Sequence, residues 1–260
     1  MESTELTGSA VITRVADHEW HALVDDLVVG RGEAWRRHDG RLFLSIDVWQ
    51  DALFDPLVAA LLAALPRPLY TVVDEADSAL MSRWEHAGFT VARREGVYLV
   101  PTDPRVTGLG PVRPPSGVTI LPFGAPERDP LRDLDRAVRA EVEASLGWRE
   151  MPAEVLPRLD DAVVTDPTKY TVAEASGRYV GLLRLAPVPR QPRIGLLAVR
   201  SDRQRGGVAR ALLADVLGSL HTSGTRAVSA EVGERNEAAL ALFETVGAER
   251  AGGNAELVIL

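Results

Sequence analysis

Two stretches of the chain, 159 residues apart, share one order of apolar and small residues. The apolar run 69–73 aligns with 228–232, and 98–100 aligns with 257–259. Four positions between these runs are identical: Ala79 and Ala238, Glu85 and Glu244, Gly88 and Gly247, Ala92 and Ala251. Similarity within one chain at a fixed spacing is typical of a repeated structural unit. The pattern predicts two domains of one fold, with chance similarity as the alternative.

A segment rich in proline and glycine, 101–117, separates the two copies. Such segments disfavour helix and stay extended. The predicted domains are therefore 1–100 and 118–260, joined by a linker at 101–117. The second domain has the predicted order β-α-α-β-β-β-α-β-α-β, with its second helix at 153–159. We predict an α/β (α+β) fold, in which a mixed, mostly antiparallel twisted sheet is flanked by helices in each domain.

Composition excludes several classes of protein. The chain is 46% hydrophobic and 25% charged, as expected of a globular protein with its own core. It has no cysteine, which excludes a thiolate nucleophile and a cysteine–zinc site. His18 and His21, predicted on one helix face, lack a third ligand, so no metal is predicted. The net charge of -8 disfavours nucleic acid.

Nothing in the sequence predicts a membrane protein. The longest apolar run, 57–65, is too short to cross a bilayer. The first residues are acidic and lack the apolar core of a signal peptide. We expect a cytoplasmic protein that binds neither membrane nor nucleic acid. The oligomeric state is not indicated by the sequence.

In the second predicted domain, a strand at 194–200 leads through a polar loop to a glycine pair and an amphipathic helix. A helix N-terminus presents unpaired N–H groups, and glycines let these groups approach an anion. Gly206 and Gly207 open the helix, and Arg205 and Arg210 add positive charge. The run predicts a binding site for a phosphate-bearing ligand. A flexible surface turn is the alternative.

Two motifs in this domain resemble the GNAT superfamily of N-acyltransferases. They are Gln204-x-x-Gly207-x-Ala209 and Asn236-x-x-Ala239-x-x-x-Phe243-x-x-x-Gly247. The first is similar to the family's acyl-CoA signature, and the second to its last-helix pattern, where the aromatic residue is usually tyrosine. The resemblance covers about 118–260 and is strongest over 194–247. It implies acetyl-CoA as co-substrate, no metal, and a tandem arrangement similar to that of the mycothiol synthase family.

The resemblance also implies where the acyl-CoA binds. The backbone of Leu197, Ala198 and Val199 would pair with the pantetheine arm where neighbouring strands separate, and Val199 would help to polarise the thioester carbonyl. Asn236 and Phe243 would face the arm, although an ordinary helix cap is the alternative for Asn236. The pyrophosphate would be held by Gln204, Arg205, Gly206, Gly207, Val208, Ala209 and Arg210.

Catalytic residues are less clearly indicated. Acetyl transfer needs a neutral amine, so a general base assists the reaction. Glu231 is similar in position to the base of the family's ribosomal-protein N-terminal-alanine branch, and a surface carboxylate is the alternative. Phe243 cannot donate a proton, so the general acid is unassigned. Tyr170 and Tyr179 are candidates, although positions at the edge of the core explain them better.

The acceptor amine would bind between the first two helices of the second domain. Trp148 and Glu150 lie there and could receive a cation by ring and charge contacts. A packed aromatic ring beside a solvated carboxylate is the alternative, and is slightly favoured.

The first predicted domain lacks the glycine loop. Asp51 and Asp55 occupy the corresponding segment and would repel a phosphate. Val72 stands where the second copy has Glu231, and Trp84 stands where it has Phe243. We therefore predict a degenerate first domain and one cofactor site.

The leading hypothesis is an acetyl-CoA-dependent N-acetyltransferase. It would transfer an acetyl group to a primary amine of a small molecule or peptide by direct attack on the thioester. The alternatives are a non-catalytic acyl-CoA-binding or regulatory module and a scaffold for a protein partner. Neither the acceptor nor the preferred acyl chain is indicated.

Overall fold

The computed structural model describes residues 10–145, 147, 151, 166–186 and 191–260. The strands are β1 (Val11–Ala16), β2 (Glu19–Val24), β3 (Leu27–Arg36), β4 (Leu42–Val48), β5 (Leu69–Asp74), β6 (Thr90–Pro101), β7 (Val118–Leu121), β8 (Tyr170–Ala175), β9 (Arg178–Ala186), β10 (Arg193–Val199), β11 (Ala227–Gly233) and β12 (Glu249–Ile259). The helices are α1 (Phe54–Ala64), α2 (Ser78–His86), α3 (Pro104–Thr107), α4 (Arg128–Ala144), α5 (Val208–Thr222) and α6 (Glu237–Thr245). The predicted helix at 153–159 lies outside the described residues.

The chain forms two compact units. Unit 1 comprises the chain up to Arg94 together with Asn254–Leu260, and unit 2 comprises Glu95–Gly253. These units differ from the predicted domains at two strands. The second half of β6 pairs with β11 in unit 2, and the second half of β12 pairs with β5 in unit 1. Residues 95–100 and 254–260 therefore belong to units other than the sequence predicts.

Unit 1 is a sheet with helices on one face. Its strands run in the order β1-β2-β3-β4-β5-β12, and only β4 and β5 are parallel neighbours. Leucines of α1, Leu57 and Leu61, are fully buried against this sheet. His21 lies on β2 rather than on the predicted helix, and its Nε2 is 2.8 Å from Oε1 of Glu19.

Unit 2 carries helices on both faces of its sheet. Its strands run in the order β6-β11-β10-β9-β8-β7, and β10 and β11 are the parallel neighbours. Buried residues of α5 and α6 form a core on one face, and the apolar stripe of α4 packs against β8 and β9 on the other. The predicted mixed, mostly antiparallel sheet with flanking helices is confirmed.

The segment 101–117 is more ordered than the predicted linker. It contains α3, and Thr102, Thr107 and Leu109 are all buried. The Thr102 hydroxyl donates to the backbone carbonyl of Arg226 at 3.1 Å. Prolines and glycines here exclude a long helix, but they do not prevent the segment from packing on unit 2.

The internal repeat is visible in matching helix ends. Both ends of α2 and α6 differ by the predicted 159 residues. Asp77 caps α2 by accepting the N–H of Leu80 at 2.9 Å, and Asn236 caps α6 by accepting the N–H of Ala239 at 3.1 Å. Beyond each helix lies a glycine with positive φ, Gly88 or Gly247, as the register predicts. The two copies therefore share local geometry as well as element order.

Candidate functional site

The parallel strands of unit 2 separate soon after they begin. β10 pairs with β11 only at Arg193 with Ser229 and Ile194 with Ala230, whereas its pairing with β9 continues to Val199. Beyond Ile194, the edge of β10 that faces β11 therefore has no neighbouring strand. The predicted separation of strands is present, at the predicted residues.

Strand geometry fixes which backbone groups face this opening. The N–H of Arg200 donates to the carbonyl of Val180 on β9 at 2.9 Å. Because successive residues of an antiparallel strand face opposite ways, Ala198 also faces β9, and Leu197 and Val199 face the opening. The carbonyl of Val199 already accepts the side-chain amide of Gln204 at 3.1 Å. The opening is therefore lined by two backbone N–H groups and the carbonyl of Leu197.

A cleft of about 780 Å³ occupies the opening. It is walled by α4, β10, β11, the loop 200–207 and the first turns of α5 and α6. All the predicted cofactor residues except Gly206 line it, namely Leu197, Ala198, Val199, Gln204, Arg205, Gly207, Val208, Ala209, Arg210, Asn236 and Phe243. Glu231, the candidate base, lines it too. The predicted acceptor residues Trp148 and Glu150 lie outside the described residues.

The loop and the start of α5 expose a run of backbone amides. Within the described ranges, no hydrogen-bond acceptor is found for the N–H groups of residues 205–210. Gly207 is the N-cap residue, and its φ of 86° is one that glycine adopts readily. The first helical bond runs from the N–H of Ala211 to the carbonyl of Gly207. Six successive unpaired amides at a helix N-terminus form a site for an anion.

Positive side chains surround the same amides. Arg205 and Arg210 line the cleft and form no salt bridge with any residue that the structure describes. Arg203 also lines it and lies 3.8 Å from the carboxylate of Asp202. The charge and the amides together suit a ligand with more than one phosphate group.

Glu231 forms an ion pair that the sequence does not predict. Its Oε1 lies 2.8 Å from Nη1 of Arg193 at the start of the neighbouring strand, and its side chain is 19% exposed. The pair favours the charged carboxylate, which is the form that accepts a proton. Arg193 is not indicated by any motif, because the pairing depends on which strands are neighbours.

Asn236 and Phe243 enter the cleft from α6. The Asn236 side-chain oxygen caps the helix, as the alternative interpretation predicts, and its amide nitrogen remains a donor. Phe243 is 4% exposed and stacks on Tyr98, with ring centroids 6.5 Å apart. Phe243 thus contributes an apolar wall and no proton.

The two tyrosines considered as acids lie elsewhere in unit 2. Tyr170 is buried beneath α4, and burial raises the pKa of its phenol. The hydroxyl of Tyr179 accepts the backbone N–H of Glu127 at 3.0 Å. Neither ring lines the cleft, so the general acid stays unassigned.

Sequence reasoning missed Glu141, which lines the cleft from α4. Its carboxylate Oε2 accepts the backbone N–H of Ser201 at 2.7 Å. Glu141 follows Val138 by three residues and therefore shares the apolar face of the helix. A carboxylate on an apolar face is the signal that could have identified it.

Searches for metal sites and membrane spans were negative over the described part of the chain. No cluster of three metal-ligating side chains occurs there. None of the helices described is both long and apolar enough to cross a membrane.

Comparison with known proteins gives a family and a fold. Residues 135–248 match the model of the "Acetyltransferase (GNAT) family". No curated protein matches the sequence.

Among solved structures, a GCN5-related N-acetyltransferase from Sphaerobacter thermophilus is 19% identical, with a TM-score of 0.64 over 95% of this chain and 82% of that one. A tandem GNAT protein from the clavulanic acid biosynthesis pathway is 15% identical, with a TM-score of 0.63 over 93% and 82%. A GNAT-family acetyltransferase from Colwellia psychrerythraea is 13% identical, with a TM-score of 0.57 over 93% and 85%.

These identities establish the fold, and the family match falls on the unit that contains the cleft. The resemblance deduced from the two motifs is therefore confirmed. Residues 135–248 form a GNAT-family domain, in a chain whose fold is that of tandem GNAT proteins.

Proposed function

We propose that unit 2 is an acetyl-CoA-dependent N-acetyltransferase and that unit 1 is a degenerate copy. The observation that carries this proposal is the run of unpaired amides at 205–210, placed at the end of an open strand edge. An anion site beside a free strand edge suits a ligand that joins a pyrophosphate to an amide-bearing arm. Acyl-CoA thioesters have that chemistry.

The cleft would hold the ligand by its two parts. The amides of 205–210 and the side chains of Arg205 and Arg210 bind the pyrophosphate. The arm then follows β10 away from the loop, as an added strand that pairs with Val199 and then Leu197. Because Leu197 lies farther from the loop than Val199, its N–H is placed nearer the thioester. This differs from the prediction, which gave that role to Val199.

The reaction is a direct transfer between thioester and amine. The amine nitrogen attacks the thioester carbon, the C–S bond breaks, and the sulfur leaves as a thiolate. Glu231 accepts the proton that the amine loses, and the N–H of Leu197 stabilises the negative charge that develops on the carbonyl oxygen. Holding the two reactants together in the cleft supplies much of the acceleration.

A second candidate is a CoA-binding module without catalysis. Two observations favour it: Phe243 has no proton to donate, and Arg193 occupies one oxygen of Glu231. Such a module would bind acetyl-CoA through the same amides. It would not release thiol with any amine.

Calorimetric titration with acetyl-CoA tests both candidates at their shared step. We expect binding by the wild-type chain, followed by thiol release in the presence of an acceptor from a panel of small amines, aminoglycosides and peptide N-termini. Binding without thiol release across that panel favours the non-catalytic module. The absence of CoA binding contradicts both candidates.

Gly207→Asp and Gly207→Asn test the position of the anion site. A Cβ at Gly207 would lie 3.7 Å from Pro115, so either side chain has room. Both variants share the cost of a positive φ, but only aspartate adds a negative charge beside the amides. We expect Gly207→Asp to lose at least about 100-fold in CoA affinity and Gly207→Asn to lose much less. Equal affinities would contradict the proposed position.

A further inference from the structure

The loop that precedes α5 is held by a residue from another element. Glu141 lies in the last turn of α4, and its Oε2 accepts the backbone N–H of Ser201 at 2.7 Å. Its Oε1 lies 3.6 Å from Nε of Arg200. One carboxylate therefore connects α4 to the first two residues of the loop.

Few other bonds fix this loop. The N–H of Arg203 donates to the carbonyl of Arg200 at 2.8 Å, and the N–H of Gln204 donates to that of Ser201 at 3.4 Å. The Gln204 side chain ties the loop to Val199. The amides that follow, 205–210, have no acceptor in the described residues. A loop that keeps its amides unpaired has little of its own to order it, so the bond to Glu141 matters more than a single bond usually does.

We propose that Glu141 is a positioning residue that pre-organises the anion site for CoA. This inference rests on the proposed function. A loop that is already ordered has less conformational entropy to lose on binding, and the saving appears as affinity. Because Glu141 contacts Arg200 and Ser201 rather than the amides of 205–210, it shapes the site without occupying it.

The charge of Glu141 makes the proposal testable in two directions. A carboxylate in the same cleft as a pyrophosphate repels it, and only part of that repulsion is offset by Arg200. Glutamine keeps an oxygen that can accept the N–H of Ser201 but has no charge. Alanine removes both the bond and the charge. The two substitutions therefore separate the role of the bond from the role of the charge.

The experiment compares Glu141→Ala, Glu141→Gln and the control Asp133→Ala. Asp133 lies on the same helix, is 73% exposed and pairs with Arg136 on the surface. We expect Glu141→Ala to weaken CoA binding by about tenfold. We expect Glu141→Gln to bind CoA as tightly as the wild type or more tightly, and Asp133→Ala to leave affinity unchanged. The measurement is calorimetric titration with CoA.

Amide hydrogen exchange on the ligand-free protein supplies a second readout. We expect faster exchange at Ser201 and Arg203 in Glu141→Ala, and wild-type exchange in Glu141→Gln and Asp133→Ala. The thermal transition of all three variants should stay close to that of the wild type, which separates ordering of the loop from general stability.

Each outcome decides one of the two proposals. CoA binding by Glu141→Ala that equals or exceeds the wild type would overturn the positioning role and leave only a charge effect. Unchanged exchange in Glu141→Ala would overturn it as well. If the wild type binds no CoA but exchange still rises in Glu141→Ala, the contact orders the loop and the proposed function is the part that fails.

Discussion

The two units use the same strand, loop and helix for different ends. In unit 2 the loop 200–207 leads to unpaired amides with Arg205 and Arg210 beside them. In unit 1 the corresponding loop, 49–53, has five residues rather than eight and contains no glycine. Its Asp51 forms a 2.7 Å ion pair with Arg83 of α2. A change of length and charge in one loop thus separates an anion site from a closed surface.

The space between the parallel strands also differs. In unit 1, β4 and β5 pair at only two positions, as β10 and β11 do. Trp84, at the position of Phe243, is 2% exposed and packs edge-on against Phe54 at 5.1 Å and Phe89 at 4.8 Å. Larger aromatic side chains therefore join the core in unit 1, whereas unit 2 keeps a cleft beside a smaller ring.

The opposite faces of the two sheets show the same contrast. In unit 2, α4 follows β7 and brings Glu141 to the loop, whereas in unit 1 a tight turn at 17–18 joins β1 to β2. The unit 1 sheet instead carries a buried charge cluster, defined by Glu256 with Arg37, Arg41 and Arg93. The comparison indicates that unit 1 is built for stability and unit 2 for a ligand.

The largest expected effect is on the charge cluster of unit 1. Glu256 is 2% exposed and lies 2.6 to 3.1 Å from three guanidinium groups. Glu256→Ala leaves those charges partly buried without their shared carboxylate, so we expect a loss of about 3–5 kcal/mol in the free energy of unfolding. Urea denaturation followed by tryptophan fluorescence measures it, because four of the five tryptophans lie in unit 1.

The matched control for the charge cluster is Glu85→Ala. Glu85 is exposed, and we expect a change within about 0.5 kcal/mol. A loss below about 1 kcal/mol for Glu256→Ala would contradict the view of unit 1 as a stabilising copy.

The next effect concerns the base that unit 1 lacks. Val72 occupies the register position of Glu231, so only unit 2 has a carboxylate there. We expect Glu231→Gln to slow thiol release by about 100-fold, since general bases contribute factors of that order. CoA affinity should stay unchanged, and the exposed Glu244→Gln should behave like the wild type. Wild-type turnover by Glu231→Gln would exclude Glu231 as the base.

Features set by local sequence were predictable. The ends of α2 and α6 follow from caps and glycines adjacent in the chain, such as Asp77 with Gly88. The anion site follows from glycines and arginines within one short loop. Each of these depends on contacts a few residues apart, so a single sequence contains the needed information.

Features set by tertiary pairing were not predictable. Residues 98–100 and 257–259 are similar apolar runs, so their composition does not indicate which of them pairs with β5 and which with β11. The spacing of His18 and His21 fits a helix, but alternate burial along β2 has the period of a strand. The contacts of Glu141 and Arg193 join elements far apart in the chain.

A smaller effect separates the two matched helix caps. Asp77 and Asn236 each accept an N–H three residues ahead, so alanine at either position should cost about 1 kcal/mol of stability. Only Asn236 lines the cleft, and we expect only Asn236→Ala to weaken CoA binding. Denaturation and calorimetry on the pair measure the two effects. Equal CoA affinities in both variants would reduce Asn236 to a cap alone.

The smallest effect concerns backbone strain, which both units carry at the same angle. Arg205 in the loop of unit 2 and Asp26 in a hairpin of unit 1 both have φ of 61°, a region that costs non-glycine residues about 1–2 kcal/mol. Glycine relieves this cost but adds about 0.5–1 kcal/mol of backbone entropy to the unfolded chain.

We therefore expect Arg205→Gly and Asp26→Gly each to raise the free energy of unfolding by about 0.5 kcal/mol. Strain is often retained where it holds a functional group in place. Arg205 lines the cleft without an ionic partner among the described residues, so its loss should weaken CoA binding by about fivefold, whereas Asp26→Gly should leave binding unchanged. If Arg205→Gly gains stability and keeps full CoA affinity, the strain at Arg205 has no role in binding, and the cations of the loop contribute less than its amides.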